Sequence, residues 1–180
     1  MHNKVAYHAM KVLNAPEWGF RFPVLRFNFR GTGLSEGQHE GLAEAADVTA
    51  ALEWLHSEYN LPVVVAGFSF GAAMALVACC GSDAKAATRA RVHALAALGL
   101  PTQGFGHRFR YPFLAGCQLR KLFLSGDRDW FAPKEELEQV VDTAADPKKL
   151  VFVPGADHSF SGRLETMQQE LAGWLKEQAI

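Results

Sequence analysis

The chain has 180 residues, 49% of them hydrophobic and 21% charged, with a net charge of −1. That length suits one domain, read as spanning residues 1–180, with a sizeable core. The balanced charge gives no electrostatic footing for nucleic acid or an anionic membrane, and no apolar run reaches bilayer-spanning length.

Asn3 is placed to cap a first helix running to about Leu13, with Val5, Ala9, Val12 and Leu13 on one face. Pro23 to Phe29 reads as a strand, ended by the turn residues Arg30-Gly31-Thr32-Gly33. Gly41 to Tyr59 reads as a helix, with Val48, Leu52, Leu55 and Tyr59 at helical spacing. Leu61 to Ala66 is an unbroken apolar run, rich in β-branched residues, of the kind that forms a strand buried on both faces. An alanine-rich helix follows Gly71 and runs to about Cys80.

Further on, Val92–Leu100 reads as a strand, although its alanines also allow helix, Leu119–Ser125 reads as a strand, and Pro133 starts a helix with Leu137, Val140, Val141 and Ala144 on one face. Lys149–Val153 is a short strand, and Leu164, Met167, Leu171, Trp174 and Leu175 mark a last amphipathic helix. Strands alternating with helices specify a three-layer α/β/α sandwich around a mostly parallel sheet. The three cysteines (Cys79, Cys80 and Cys117) match no metal-ligand spacing, so no metal is expected. Their odd count argues against a disulfide framework and for a reducing cytoplasm, with Cys79 and Cys80 as small core fillers. No basic-then-apolar leader opens the sequence.

Chemistry in such sheets gathers at the carboxyl ends of strands. Three strand ends carry candidates. Gly67-Phe68-Ser69-Phe70-Gly71 sits where a buried strand turns into a helix, the context of a nucleophile elbow. The two glycines leave out Cβ atoms that would collide there, and the helix N-terminus offers N–H groups to a developing negative charge. Gly126-Asp127-Arg128-Asp129 follows the second strand end, and Pro154-Gly155-Ala156-Asp157-His158 the third. A serine hydroxyl needs an imidazole to take its proton, and the imidazole needs a carboxylate to fix its tautomer. Nucleophile, acid and histidine appear here in the order that an elbow-type hydrolase requires, with Asp127 and Asp129 both open as the acid. Asp157 adjoins the histidine, but adjacent side chains on extended backbone diverge.

These stretches, with Met1-His2-Asn3-Lys4, Val24 to Gly33 and Ser35-Glu36-Gly37, resemble the α/β-hydrolase superfamily, in particular small bacterial members related to dienelactone hydrolases. The resemblance covers nearly the whole chain. Its G-x-x-D pattern selects Asp129 as the acid, and the backbone N–H of Phe70 becomes one oxyanion donor. Dienelactone hydrolases proper carry cysteine at the nucleophile, so Ser69 implies a different substrate: a small carboxylic ester or thioester, with no cofactor. Family members carry about three further strands ahead of the segment matching Met1, and a loop there gives the second oxyanion donor. One of those strands lies between the counterparts of Val24–Phe29 and Val63–Ala66. Its absence implies a hole inside the sheet, filled by an upstream segment, by closing up, or by another chain.

A catalytically weak remnant or an interaction module is therefore the alternative to an ordinary enzyme. Association of copies through the open sheet is expected on the same ground. The stretch 101–118 is too short for a lid domain. Phe105, Phe109, Tyr111 and Phe113 in it are the expected apolar wall of an open site.

Overall fold

A computed structural model describes residues 3–178 except Asp83, Lys85 and Phe105, with backbone alone at 87–89. Phe105, one of the expected pocket aromatics, lies outside the described residues, as do Met1 and His2.

Helix α1 spans Lys4–Asn14, and Asn3 caps it through a side-chain oxygen that accepts from the Ala6 N–H at 3.0 Å. Its four buried residues are Val5, Ala9, Val12 and Leu13, the face read from spacing. Helix α2 is Ala45–Tyr59, strand β1 Val63–Phe68, helix α3 Phe70–Cys80, helix α4 Ala86–Arg91 and strand β2 Val92–Leu98. Two-residue strands β3 (Gln103–Gly104) and β4 (His107–Arg108) form a small hairpin. Strand β5 (Arg120–Gly126), helix α5 (Lys134–Thr143), strand β6 (Lys148–Val153) and helix α6 (Leu164–Glu177) complete the order.

The main sheet is parallel throughout, in the order β1-β2-β5-β6. Strand β2 shows why the layers form. Val92, Leu95 and Ala97 pack into one core with α2, α3 and α5, while Ala94, Ala96 and Leu98 pack into the other with α1 and α6. From Ala94 to Leu98 the side chains alternate between the two cores, apolar on both faces, which buries β2 between helical layers.

Three expectations change at the β1 side. Residues 20–29 carry no regular secondary structure, so the strand expected over Pro23–Phe29 is not formed. β1 is consequently an edge strand, and five of its six residues are only half-buried rather than enclosed on both faces. Between β1 and 22–29 lies a cavity of about 640 Å³, so the two segments have not closed up. α2 starts four residues later than its pattern suggested; Leu55 borders this cavity and Tyr59 is 48% exposed, because the sheet they would cover is not there.

The cysteines also depart from expectation. Cys80 and Cys117 form a disulfide that ties the end of α3 to the segment ahead of β5, leaving Cys79 as the free, buried thiol. Spacing alone could not reveal a pair brought together by the fold. The pairing removes the ground on which a reducing cytoplasm was expected. Among the described residues, no helix is long and apolar enough to cross a membrane.

Candidate active site

Ser69 occupies the step between β1 and α3. Its φ of 53° and ψ of −120° are unusual for a residue with a side chain, a conformation costing about 1–3 kcal/mol that its surroundings must hold in place. The Ser69 N–H donates to Leu98 O at 2.9 Å, and the N–H groups of Ala72 and Ala73 donate to Ser69 O. A Cβ on Gly67 would lie 2.4 Å from Gly71 O, so strand and helix converge only because that position is glycine. Gly71 differs from expectation. A Cβ there would meet only the Phe29 ring, at 3.8 Å, an ordinary contact. The N–H of Phe70, first residue of α3, is one of the amides that a helix start leaves without an internal partner.

The histidine and acid close on this serine from loops after β6 and β5. His158 Nε2 lies 2.8 Å from Ser69 Oγ, and its Nδ1 lies 2.8 Å from Asp129 Oδ2. A carboxylate only accepts, so Nδ1 carries the proton and Nε2 is left to accept from the serine hydroxyl. The ring is held between Phe68 and Phe131, at centroid distances of 5.0 and 4.6 Å. Asp129 is 3% exposed and fully engaged: Oδ2 also accepts from the Ser125 hydroxyl, and Oδ1 from the N–H groups of Phe131 and Ala132.

The other acids do different work. Asp127 accepts from the Gly155 N–H at 2.7 Å and stitches the two loops together. Asp157 accepts from the N–H groups of Ser159 and Ser161. Bonding to the backbone and side chain of Ser161 holds its carboxyl below the ordinary range, against a desolvation that pushes the other way. Geometry thus separates Asp129 from Asp127 and Asp157.

The expected aromatic wall is largely corrected. Tyr111 is buried, its hydroxyl donating to Pro101 O at 2.6 Å, and Phe113 packs against the same core. Of the three that are described, only Phe109, 40% exposed, stays on the surface, near Phe131 around the space that a Gly104 Cβ would take. Ser125 and Phe131 were missed in the sequence. A serine at the buried end of an apolar strand was the available signal for the first; Phe131 carried none.

On the far side of Ser69, the Phe70 ring meets Phe29 and His39, at 5.5 and 4.9 Å. Arg30 holds the loop that carries His39, through two bonds to Asp47 Oδ1 and its own N–H to Oδ2. The Arg30 guanidinium keeps Asp47 below the usual carboxyl range, outweighing burial. The cavity beside β1 opens onto Ser69 here. Among the described residues, no group of three His, Cys, Asp or Glu is placed to hold a metal ion.

The alpha/beta hydrolase domain profile matches residues 11–179. The chain belongs to the alpha/beta hydrolase family. It is 31% identical to an uncharacterized protein of Rickettsia prowazekii (strain Madrid E), over 97% of this chain and 72% of that protein. An uncharacterized protein of Mycobacterium tuberculosis (strain H37Rv) is also 31% identical, over 90% of this chain, which spans only 63% of that relative's length. Among solved structures, a serine hydrolase homologue from Coxiella burnetii superposes with a TM-score of 0.78 at 30% identity, covering 97% of this chain and 77% of its own. A lidless serine hydrolase from Xanthomonas campestris gives a TM-score of 0.77 at 26% identity, covering 98% and 74%. The parallel sheet between helical layers is thus the α/β/α sandwich of this hydrolase family.

Proposed function

We propose that this α/β hydrolase cleaves small carboxylic esters or thioesters through an acyl-enzyme on Ser69. The observation that carries the reading is the hydrogen-bonded line Ser69–His158–Asp129, with the Phe70 N–H at the helix start beside it. His158 takes the hydroxyl proton as Ser69 Oγ attacks the acyl carbon. The carbonyl electrons move onto oxygen, where the Phe70 N–H and the α3 dipole stabilise the charge. His158 then protonates the departing alkoxide or thiolate, and the carbonyl reforms as an acyl-serine. Water repeats the sequence with His158 as base, releasing the acid and restoring Ser69. Asp129 holds the imidazole tautomer throughout. No step calls for a cofactor, and Phe131, packed against the His158 ring, offers an apolar surface beside the reacting serine.

The cavity beside Ser69 favours one second reading, a catalytically weak module with a half-built oxyanion hole. A panel of short-chain esters and thioesters, run with a fluorophosphonate probe, tests both. Turnover together with probe labelling that disappears in Ser69→Ala supports the hydrolase. Labelling that persists in Ser69→Ala refutes the nucleophile. Labelling without turnover identifies the weak module.

A further inference from the structure

The His158 ring lies in an aromatic slot whose parts come from three strand ends. Phe68 closes β1, with its ring centroid 5.0 Å from that of His158 and the two planes 39° apart. Phe131, from the loop after β5, lies 4.6 Å away at 48°, so neither ring meets the imidazole at right angles. Gly99, just after β2, forms the floor. Its φ is 54°, and a Cβ there would sit 3.1 Å from the Phe68 ring and 3.3 Å from His158 Cε1.

Backbone bonds fix Phe131 from both sides. Its N–H donates to Asp129 Oδ1 at 2.8 Å, and its C=O accepts from the N–H groups of Thr102 and Gln103 at 2.8 and 3.0 Å. The β3–β4 hairpin leaves room for the ring at Gly104, where a Cβ would stand 3.2 Å from Phe131 Cδ1. A changed side chain at 131 leaves all of these backbone bonds in place.

Such a slot treats a neutral imidazole and an imidazolium differently. The His158 side chain is 17% exposed, so an imidazolium formed there keeps little of its water. The charges that face it are the Asp129 carboxylate, 2.8 Å from Nδ1, and that of adjacent Asp157, itself bonded to the Ser159 and Ser161 amides. Asp129 meets the ring at its Nδ1 edge, while the two phenyl rings flank it. The negative face of an aromatic ring attracts a cation within about 6 Å of its centroid, and a neutral ring much less.

We infer that Phe131, together with Phe68, is a positioning residue that acts through His158 by stabilising the imidazolium as it forms. On the acyl-enzyme reading, on which this rests, His158 takes the Ser69 proton in acylation and a water proton in deacylation. The imidazole is neutral before each transfer and gains charge at the transition state. The attraction to the phenyl rings therefore strengthens only where it lowers the barrier.

The test is a graded series at position 131 of the intact chain: phenylalanine, its mono-, di- and pentafluorinated forms, and Phe131→Leu. Fluorine withdraws charge from the ring face with little change of shape, whereas leucine removes the ring. Two rates are read, kcat on a p-nitrophenyl ester and fluorophosphonate labelling of Ser69, since His158 takes the serine proton in both. Each added fluorine should lower the logarithm of both rates in step, with KM and the melting temperature unchanged. Phe131→Leu should lose about fivefold to thirtyfold in both rates, the worth of one partly desolvated cation–π contact. Fluorinated chains as fast as the parent overturn the inference; if Phe131→Leu alone is slow, the ring only fills space. A loss confined to KM also overturns it. A parent that labels at Ser69 but turns over no ester refutes the esterase reading instead, and the labelling rates still decide the role of Phe131.

Discussion

Asp129→Asn is the substitution whose consequence can be followed atom by atom. Asp129 Oδ1 accepts from two backbone N–H groups, and Oδ2 faces His158 Nδ1 and the Ser125 hydroxyl. An asparagine keeps its carbonyl toward the two amides and turns its NH₂ to the Oδ2 position. That NH₂ then donates to His158 Nδ1, which forces the imidazole proton onto Nε2. Nε2–H now points at Ser69 Oγ, 2.8 Å away, and cannot accept the serine proton. Loss of the working tautomer costs about 10⁴ in kcat, about 5.4 kcal/mol of barrier. Asp127→Asn should change kcat less than about threefold, because the amide oxygen can still accept from the Gly155 N–H. Hydrolysis of a p-nitrophenyl ester, with circular dichroism to check folding, reads both. Equal losses, or a larger loss at Asp127, would refute the assignment of the acid.

The same structure makes further measurable claims. Gly67→Ala should fail to fold or lose activity, since its Cβ would sit 2.4 Å from backbone, while Gly71→Ala should keep its melting temperature; equal behaviour in thermal melts contradicts the elbow packing. Breaking the Cys80–Cys117 bridge, 37 residues apart in sequence, removes about 4 kcal/mol on the chain-entropy account, roughly 8–16 °C of melting temperature for a chain of this size. Thiol counting on the native protein should correspondingly find one free cysteine only after unfolding. Burial lowers the Lys121 ammonium to about 8, below its unfolded value. Between about pH 8 and pH 10 the unfolded chain therefore binds the extra proton, so this group's contribution to stability rises with pH. Denaturant midpoints should show that rise in the parent and lose it in Lys121→Met.

Where a segment's neighbours come from its own periodicity, the sequence is explicit. The buried face of α1 and the apolar stripe of α6 follow from residue spacing, because each packs on the surface its own pattern implies. The elbow and His158 were legible for a similar reason, each sitting where an apolar run ends in small or polar residues, whereas the run alone left Asp127 and Asp129 both open and only the family resemblance chose Asp129. Pro23–Phe29 and β1 misled because their patterns are those of central strands, whereas pairing depends on what occupies the next lane. Tyr111 and Phe113 misled because an irregular segment carries no period by which to tell core from rim. The disulfide stayed hidden because proximity of Cys80 and Cys117 depends on where the segment after Tyr111 packs on α3.

The site divides into two halves of different rigidity, and the division has a kinetic consequence. His158 and Asp129 rest on β5, β6 and the buried end of β2, where Ser125, Phe131 and the loop amides fix every polar atom of the acid. The pair that activates Ser69 therefore rests on the side of the sheet away from the cavity beside β1. The oxyanion side lies against that cavity, because the carbonyl oxygen must sit near Phe70 N–H, where β1 and Phe29 border it. Loss of one preorganised oxyanion donor costs about 10²–10³ in kcat while leaving the nucleophile intact. Removing the Phe29 ring from the Phe70 side of the cavity should then lower kcat for ester turnover much more than it lowers the rate of fluorophosphonate labelling. Comparing both rates in Phe29→Ala and in the parent measures this directly. Equal losses in the two rates would show that Phe29 positions Ser69 and His158 themselves, and would place the weakness in the elbow instead of the oxyanion side.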